Sequence, residues 1–185
     1  MEDIFVFDDA IPQFLQDFYE GIIFGKTKGT ELFPTVDFSV RYEPTAEEHG
    51  HIPLSFNHIL KSSAKISPHL ENFSKLVTHA CEHANLNFRD IFYGRIFLTT
   101  PQKTNLDFYQ PHTDLNYPHW VVLYYVNDAD GDTAFYDSFG NIIKTVTPKK
   151  GRVVLFDGLI KHSGGIPKET TRCIVNFDIV TWELQ

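Results

Sequence analysis

With 185 residues, 42% of them hydrophobic and 22% charged, the chain can bury one sizeable core without a disulfide or a structural metal, and its composition is not that of a disordered protein. Its 24 acidic against 16 basic side chains leave a formal charge of −8, a field that repels nucleic acid and anionic lipid. Two cysteines, acids at the N-terminus where a signal peptide carries lysines, and no apolar run near the ~20 residues of a membrane span point to a cytoplasmic protein with free thiols.

The spacing of Ile11, Phe14, Leu15, Phe18 and Ile22 predicts a helix from Ile11 to Phe24, with Asp9 as N-cap and Gly25 just past its end. The polar stretch from Thr30 to Ser67, broken by Pro34, Pro44 and Pro53, reads as long loops with one short strand at Val36 to Arg41. A second helix is predicted from Pro68 to about Asn85, with Leu70, Phe73, Leu76, Val77, Ala80, Cys81 and Ala84 on one stripe. From Phe92 onward, β-branched and aromatic runs predict strands at Phe92 to Leu98, Trp120 to Val126, Thr133 to Tyr136, Ile142 to Val146, Arg152 to Phe156 and Arg172 to Val180. The segments between them are turn-rich, as in Ser163-Gly164-Gly165-Ile166-Pro167. No repeat or linker interrupts the chain. The expectation is one domain over residues 1–185: helical bracing over about 1–90, then an antiparallel barrel or jelly roll over about 91–185.

Histidine supplies most transition-metal ligands, and nine are present. His79 and His83 stand at i and i+4 on the second predicted helix but lack the acid of a metalloprotease motif. His49, His51 and His58 read as solvated loop residues, and His119 is ambiguous. His112 and Asp114 differ, because two residues apart in extended backbone they leave on one face. His162, at the end of the strand-like run Arg152 to Asp157, is close enough in a barrel to complete a set of two imidazoles and one carboxylate. That set is the facial triad of non-haem Fe(II) oxygenases, which leaves coordination positions open. Arg172 opens the next strand, where an antiparallel return would set it beside or diagonal to His162 to grip a carboxylate bidentately; the plainer reading is a surface arginine.

Five ordered motifs carry a resemblance: Phe108-Tyr109-Gln110-Pro111-His112-Thr113-Asp114, Leu123-Tyr124-Tyr125-Val126-Asn127, Asp130-Gly131-Asp132-Thr133-Ala134-Phe135-Tyr136, Pro148-Lys149-Lys150-Gly151-Arg152-Val153-Val154-Leu155-Phe156-Asp157, and Lys161-His162-Ser163-Gly164 through Arg172. Over roughly Phe92 to Trp182 the chain resembles the Fe(II)/2-oxoglutarate-dependent dioxygenases, in the prolyl 4-hydroxylase-like branch. The resemblance implies a mainly β fold with N-terminal helices, the double-stranded β-helix or cupin-like jelly roll. It implies that His112, Asp114 and His162 bind Fe(II), that Arg172 pairs with the distal carboxylate of 2-oxoglutarate, and that Tyr125 places its hydroxyl on the same carboxylate while Tyr124 points elsewhere. O₂ is the second co-substrate and ascorbate a further candidate cofactor. The reaction implied is oxidative decarboxylation to succinate and CO₂ coupled to C–H hydroxylation of a prolyl or other amino-acid, peptide, protein or small-molecule substrate, with neither nucleic acid nor membrane as partner. Gly131-Asp132-Thr133 departs from the two glycines usual in prolyl hydroxylases, which bears on substrate class. Two other readings fit a triad-bearing barrel: a catalytically silent β-helix that binds a ligand, and a zinc-dependent hydrolase. Arg41, Tyr42 and Arg95 are either residues of the cavity mouth or ordinary surface residues.

Overall fold

Short runs of alternating side chains, seven from the second half of the chain and three from the first, pair into two antiparallel sheets. The computed structural model describes residues 4–26, 35–41 and 54–182. In chain order the elements are β1 (Ile4–Phe7), α1 (Gln13–Ile23), β2 (Ser39–Arg41), β3 (Ser55–Lys61), α2 (Leu70–Ala84), β4 (Phe88–Thr99), β5 (Trp120–Tyr125), β6 (Thr133–Tyr136), β7 (Ile142–Val146), β8 (Val153–Asp157), β9 (Lys161–Gly164) and β10 (Arg172–Thr181). The larger sheet runs β1-β8-β5-β10-β4-β3-β2, and the smaller runs β7-β6-β9. No helix among the described residues is long and apolar enough to cross a membrane.

The strand period of two assigns each residue of β5 and β10 to one of two layers. Cys173, Val175, Phe177 and Ile179 of β10, with Val122 and Tyr124 of β5, join Tyr19 and Ile22 of α1 and Phe73, Leu76, Val77 and Ala80 of α2 in one buried cluster. Ile174 of β10 and Val121, Leu123 and Tyr125 of β5 face the other way, against Phe135, Val146 and Phe156, filling the space between the sheets. Fully burying one of these large side chains contributes about 1.5–3 kcal/mol, so the helices are held to the larger sheet by packing rather than by their own propensity.

Several boundaries differ from the sequence expectation. Asp9 does not cap α1: it sits at φ 59°, and Pro12 occupies the N-cap, its carbonyl accepting from the backbone N–H of Leu15 and Gln16. α2 starts at Leu70 because Ser67 accepts the His69 N–H at 3.1 Å and turns the chain first; it ends as expected at Asn85, in the left-handed conformation. The stretch read as loops contains β3, paired with β4 from Ser55↔Thr99 to Lys61↔Gly94. His58 on that strand is buried, not solvated, with Nε2 2.8 Å from Ser67 Oγ and Nδ1 2.6 Å from the Asp37 carbonyl. His49, His51, Tyr42 and the prolines 34, 44 and 53 lie outside the described residues. The first ninety residues thus supply three strands to the larger sheet besides two helices.

Candidate metal centre and cavity

His112 and His162 meet through an isolated antiparallel bridge, each backbone N–H donating to the other's carbonyl at 2.9 Å. A bridged pair leaves the sheet on one face, and the two rings lie 4.8 Å apart. Asp114, two residues beyond His112 in extended chain, completes the group. His112 Nε2 is 3.6 Å from Asp114 Oδ1, His162 Nε2 is 3.5 Å from Asp114 Oδ2, and the ligating atoms all lie within 4.8 Å of one another.

The backbone fixes how the rings point. His112 Nδ1 donates to the Gln110 carbonyl at 3.2 Å and His162 Nδ1 to the Ile160 carbonyl at 3.1 Å. A carbonyl can only accept, so each Nδ1 carries a proton and each Nε2 faces the centre, where the neutral ring offers a metal its lone pair. Phe156 stands edge-on to His162 with ring centres 4.9 Å apart. Burial opposes ionisation of Asp114, yet the imidazoles of His112 and His162 beside it hold its carboxyl well below the usual carboxylate range. The same carboxylate raises His112. Asn176 of β10 adds a long hydrogen bond to Asp114 Oδ2, at 3.4 Å.

His162 belongs to β9 of the smaller sheet, not to the end of the strand-like run Arg152 to Asp157, which forms β8 of the larger sheet, and Arg172 lies on β10 of that same larger sheet. Arg172 therefore faces His162's strand across the space between the sheets instead of neighbouring it within one sheet. A Cβ built on Gly164 would lie 3.6 Å from Arg172 Nη1. The cavity between them has a volume of about 620 Å³, with the triad, Arg172, Thr133 and Tyr109 among its walls.

Arg172 is 4% exposed, and its Nη2 donates to Thr133 Oγ1 at 2.9 Å. Thr133 Oγ1 is 2.6 Å from the Tyr125 hydroxyl, which in turn donates to the Val146 carbonyl at 3.3 Å. The guanidinium carbon of Arg172 lies 5.6 Å from the Tyr125 ring centre. Tyr125 is fully buried behind Thr133, and Thr133, not Tyr125, lines the cavity. Tyr124 lies in the helix-facing cluster, on the opposite side of β5. The segment leading into Thr133 is held by a close approach of backbones: a Cβ on Gly165 would come within 2.4 Å of Gly131 and 2.5 Å of Asp132, so the residues just before β6 and those just after β9 can touch only through glycine.

Thr133, Tyr109 and Asn176 were not singled out by sequence, although Asn176 follows from Arg172 by strand alternation and Thr133 and Tyr109 stand inside quoted motifs. Tyr109 accepts a hydrogen bond from Gln102 Nε2 at 2.8 Å. Among the described residues, other histidines serve elsewhere. His83 Nδ1 bonds the His79 carbonyl at 3.0 Å, and His119 is buried against Gly158.

No protein-family model and no curated protein matches the chain. Solved structures do. A Pseudomonas putida prolyl-4-hydroxylase superposes with a TM-score of 0.61 at 14% identity, over 97% of this chain and 93% of that one. The fold is that of the prolyl hydroxylases and other Fe(II)/2-oxoglutarate oxygenases. A viral collagen prolyl hydroxylase from Paramecium bursaria Chlorella virus-1, in its 2OG complex, gives 0.60 at 11% identity over 95% and 94% of the two chains. A Trichoplax adhaerens prolyl hydroxylase in complex with a hypoxia inducible factor peptide fragment gives 0.64 at 10% identity over 97% and 84%. The similarity to this oxygenase fold takes in the first ninety residues as well, beyond the half of the chain that carries the motifs.

Proposed function

We propose that the protein is a non-haem Fe(II)- and 2-oxoglutarate-dependent oxygenase that hydroxylates a C–H bond of a prolyl or other amino-acid or peptidyl substrate. The observation that carries this reading is the convergence of two imidazole Nε2 atoms and one carboxylate, within 4.8 Å, on a cavity that also contains a buried arginine. His112, Asp114 and His162 would hold the metal: their N₂O donor set suits Fe(II), and the two Nδ1–carbonyl bonds present neutral imidazoles to it. When bound, Fe(II) with 2-oxoglutarate and O₂ supplies the oxidising power, releasing succinate and CO₂.

The chain's own residues bind, orient and exclude. Arg172 takes the distal carboxylate of 2-oxoglutarate as a fork, and Thr133, backed by Tyr125, fixes the plane of that fork. Phe156, edge-on, and Phe135, tilted, pack against His162 and hold its ring in place. The strands would form a double-stranded β-helix with α1 and α2 bracing its larger sheet. The fold likeness to prolyl hydroxylases, one of them holding a peptide, supports an amino-acid or peptidyl substrate. A zinc-dependent hydrolase gives Arg172 no task, and a silent β-helix gives none to the aligned Nε2 atoms.

Anaerobic addition of Fe(II) together with 2-oxoglutarate is the test. The expected result is a visible metal-to-ligand charge-transfer band that neither component gives alone, followed by succinate release on admitting air. Absence of the band at saturating concentrations of both overturns the reading in favour of the silent or zinc-binding alternatives.

A further inference from the structure

Strand alternation sets Arg95 and Phe97 on the cavity side of β4, opposite Asn176 and Ile174 of β10, while Arg172 is in register with Thr99. The two arginines thus rise from one sheet face four residues apart along the strands, about 14 Å at ~3.4 Å per residue. Arg172 points toward Thr133 and Gly164; Arg95 stands at the other end, across from the asparagine that donates to Asp114. Its charge helps keep Asp114 ionised, so it belongs to the metal side of the cavity.

Among the described residues Arg95 makes no ion pair, although its charge acts on both Asp114 and Asp178. Its Nε is buried without a hydrogen-bond partner, and among the described residues no carboxylate comes within ion-pair distance of it. Asp178, two residues along β10 from Asn176 on the same face, also has a buried oxygen without a partner; Arg95 draws its carboxyl down without bonding it, but burial and the neighbouring Asp114 outweigh that pull and raise it to about 7. The guanidinium carbon lies 5.1 Å over the Phe97 ring, a stack that holds the fork in one orientation. A cation kept in a partly dry cavity without a partner is costly unless a ligand brings the opposite charge.

We propose that Arg95 is the anchor for a carboxylate of the primary substrate, so that the molecules oxidised are acids: a small carboxylic acid, or a peptide with an acidic side chain beside the oxidised position. The proposal rests on the oxygenase reading, in which Arg172 is occupied by 2-oxoglutarate. That five-carbon diacid spans only about 5 Å at ~1.5 Å per bond, which leaves Arg95 and much of the 620 Å³ cavity to a second molecule. The protein's charge of −8 is no obstacle, since surface charges are screened beyond about 8 Å at physiological salt, whereas within the cavity two guanidiniums and the divalent metal that the triad would hold outweigh, by a single charge, Asp114 together with the two carboxylates of 2-oxoglutarate.

The test is calorimetric, on protein loaded with redox-silent Ni(II), with and without saturating 2-oxoglutarate. The probes are the α-amides of N-acetyl-aspartate and N-acetyl-glutamate, whose one carboxylate is the side chain's, against the α-amides of N-acetyl-asparagine and N-acetyl-glutamine, which have none, free and within short end-capped peptides. In the wild type at least one acid should bind about ten- to hundredfold tighter than its amide, a preference lost in Arg95→Gln and partly kept in Arg95→Lys, with 2-oxoglutarate affinity changed by no more than about twofold. Thermal melts confirm that each variant is folded. Equal binding of acids and amides throughout the panel overturns the proposal. So does a parallel loss of 2-oxoglutarate binding in Arg95→Gln, which would make Arg95 a co-substrate residue. Failure of the wild type to bind 2-oxoglutarate strikes the oxygenase reading instead, and the acid preference measured with Ni(II) alone still decides the role of Arg95.

Discussion

The two faces of β10 are made from adjacent residues and obey opposite rules. Cys173, Val175, Phe177 and Ile179 lie under the helices, all apolar and all sealed. Arg172, Ile174, Asn176 and Asp178 face the other sheet, and Arg172 and Asp178 keep buried polar atoms without partners. Burial drives the Cys173 thiol far above its ordinary range, so it stays an inert hydrophobe, whereas the polar atoms opposite are left for ligands. One face stabilises; the other spends part of that stability on open polar groups. The contrast can be broken one face at a time.

The largest effect is expected at the triad. Replacing His112, Asp114 or His162 by Ala should abolish 2-oxoglutarate turnover while shifting unfolding free energy by no more than about 1 kcal/mol, because these side chains line a cavity instead of filling a core. Succinate release and urea unfolding on the same samples check both halves; near-normal turnover in His162→Ala would end the assignment. On the helix-facing side the pattern inverts. Phe177→Ala should cost about 3–5 kcal/mol of stability, read from the urea midpoint at unchanged slope, and leave the 2-oxoglutarate KM of the folded fraction as it was.

Next comes the co-substrate end. Arg172→Ala should raise the apparent KM for 2-oxoglutarate by orders of magnitude with Fe(II) affinity nearly unchanged, and Arg172→Lys should fall between, since the ammonium keeps the charge and loses the fork. Tyr125→Phe should weaken 2-oxoglutarate by about 1 kcal/mol, because its hydroxyl acts through Thr133, and Tyr124→Phe by less. A loss in Tyr125→Phe as large as that in Arg172→Ala would mean that Tyr125 reaches the co-substrate directly.

The smallest effect concerns the loop that joins β9 to β10. Asp130 accepts from the backbone N–H groups of Lys168, Glu169 and Thr170 and from the Thr170 hydroxyl, tying that loop to the one before β6. Burial pushes its carboxyl up, but these donors outweigh it and bring it down to about 2. With the folded value below the unfolded one, the stabilisation is complete above about pH 4 and is lost as pH falls toward 2. Thermal midpoints of Asp130→Asn should accordingly fall below wild type at neutral pH and converge with it in that acid window.

Local periodicity made much of this legible. His112 and Asp114 share a face because they are two residues apart, and Tyr124 and Tyr125 part company because they are one apart; neither inference needs a partner strand. The bounds of β6 and β7 and the left-handed end of α2 at Asn85 likewise follow from nearest neighbours. What periodicity does not contain is which strand pairs with which. β3 was hidden among polar residues whose strand character comes from pairing with β4, and His58 is buried only because that pairing and α2 close over it.

The sequence by itself determined the order of the motifs, the shared face of His112 and Asp114, and the two layers of each long strand, since all are set by bonds and angles within a few residues. Only the tertiary structure decided that His162 sits on a strand of the smaller sheet, that Arg172 meets it across a cavity, that Thr133 stands between Arg172 and Tyr125, and that Arg95 faces inward without an ion pair among the described residues. Those are contacts between residues from 8 to about 80 positions apart. They are fixed by which buried surfaces fit together, a property of the whole packed core that no local pattern records.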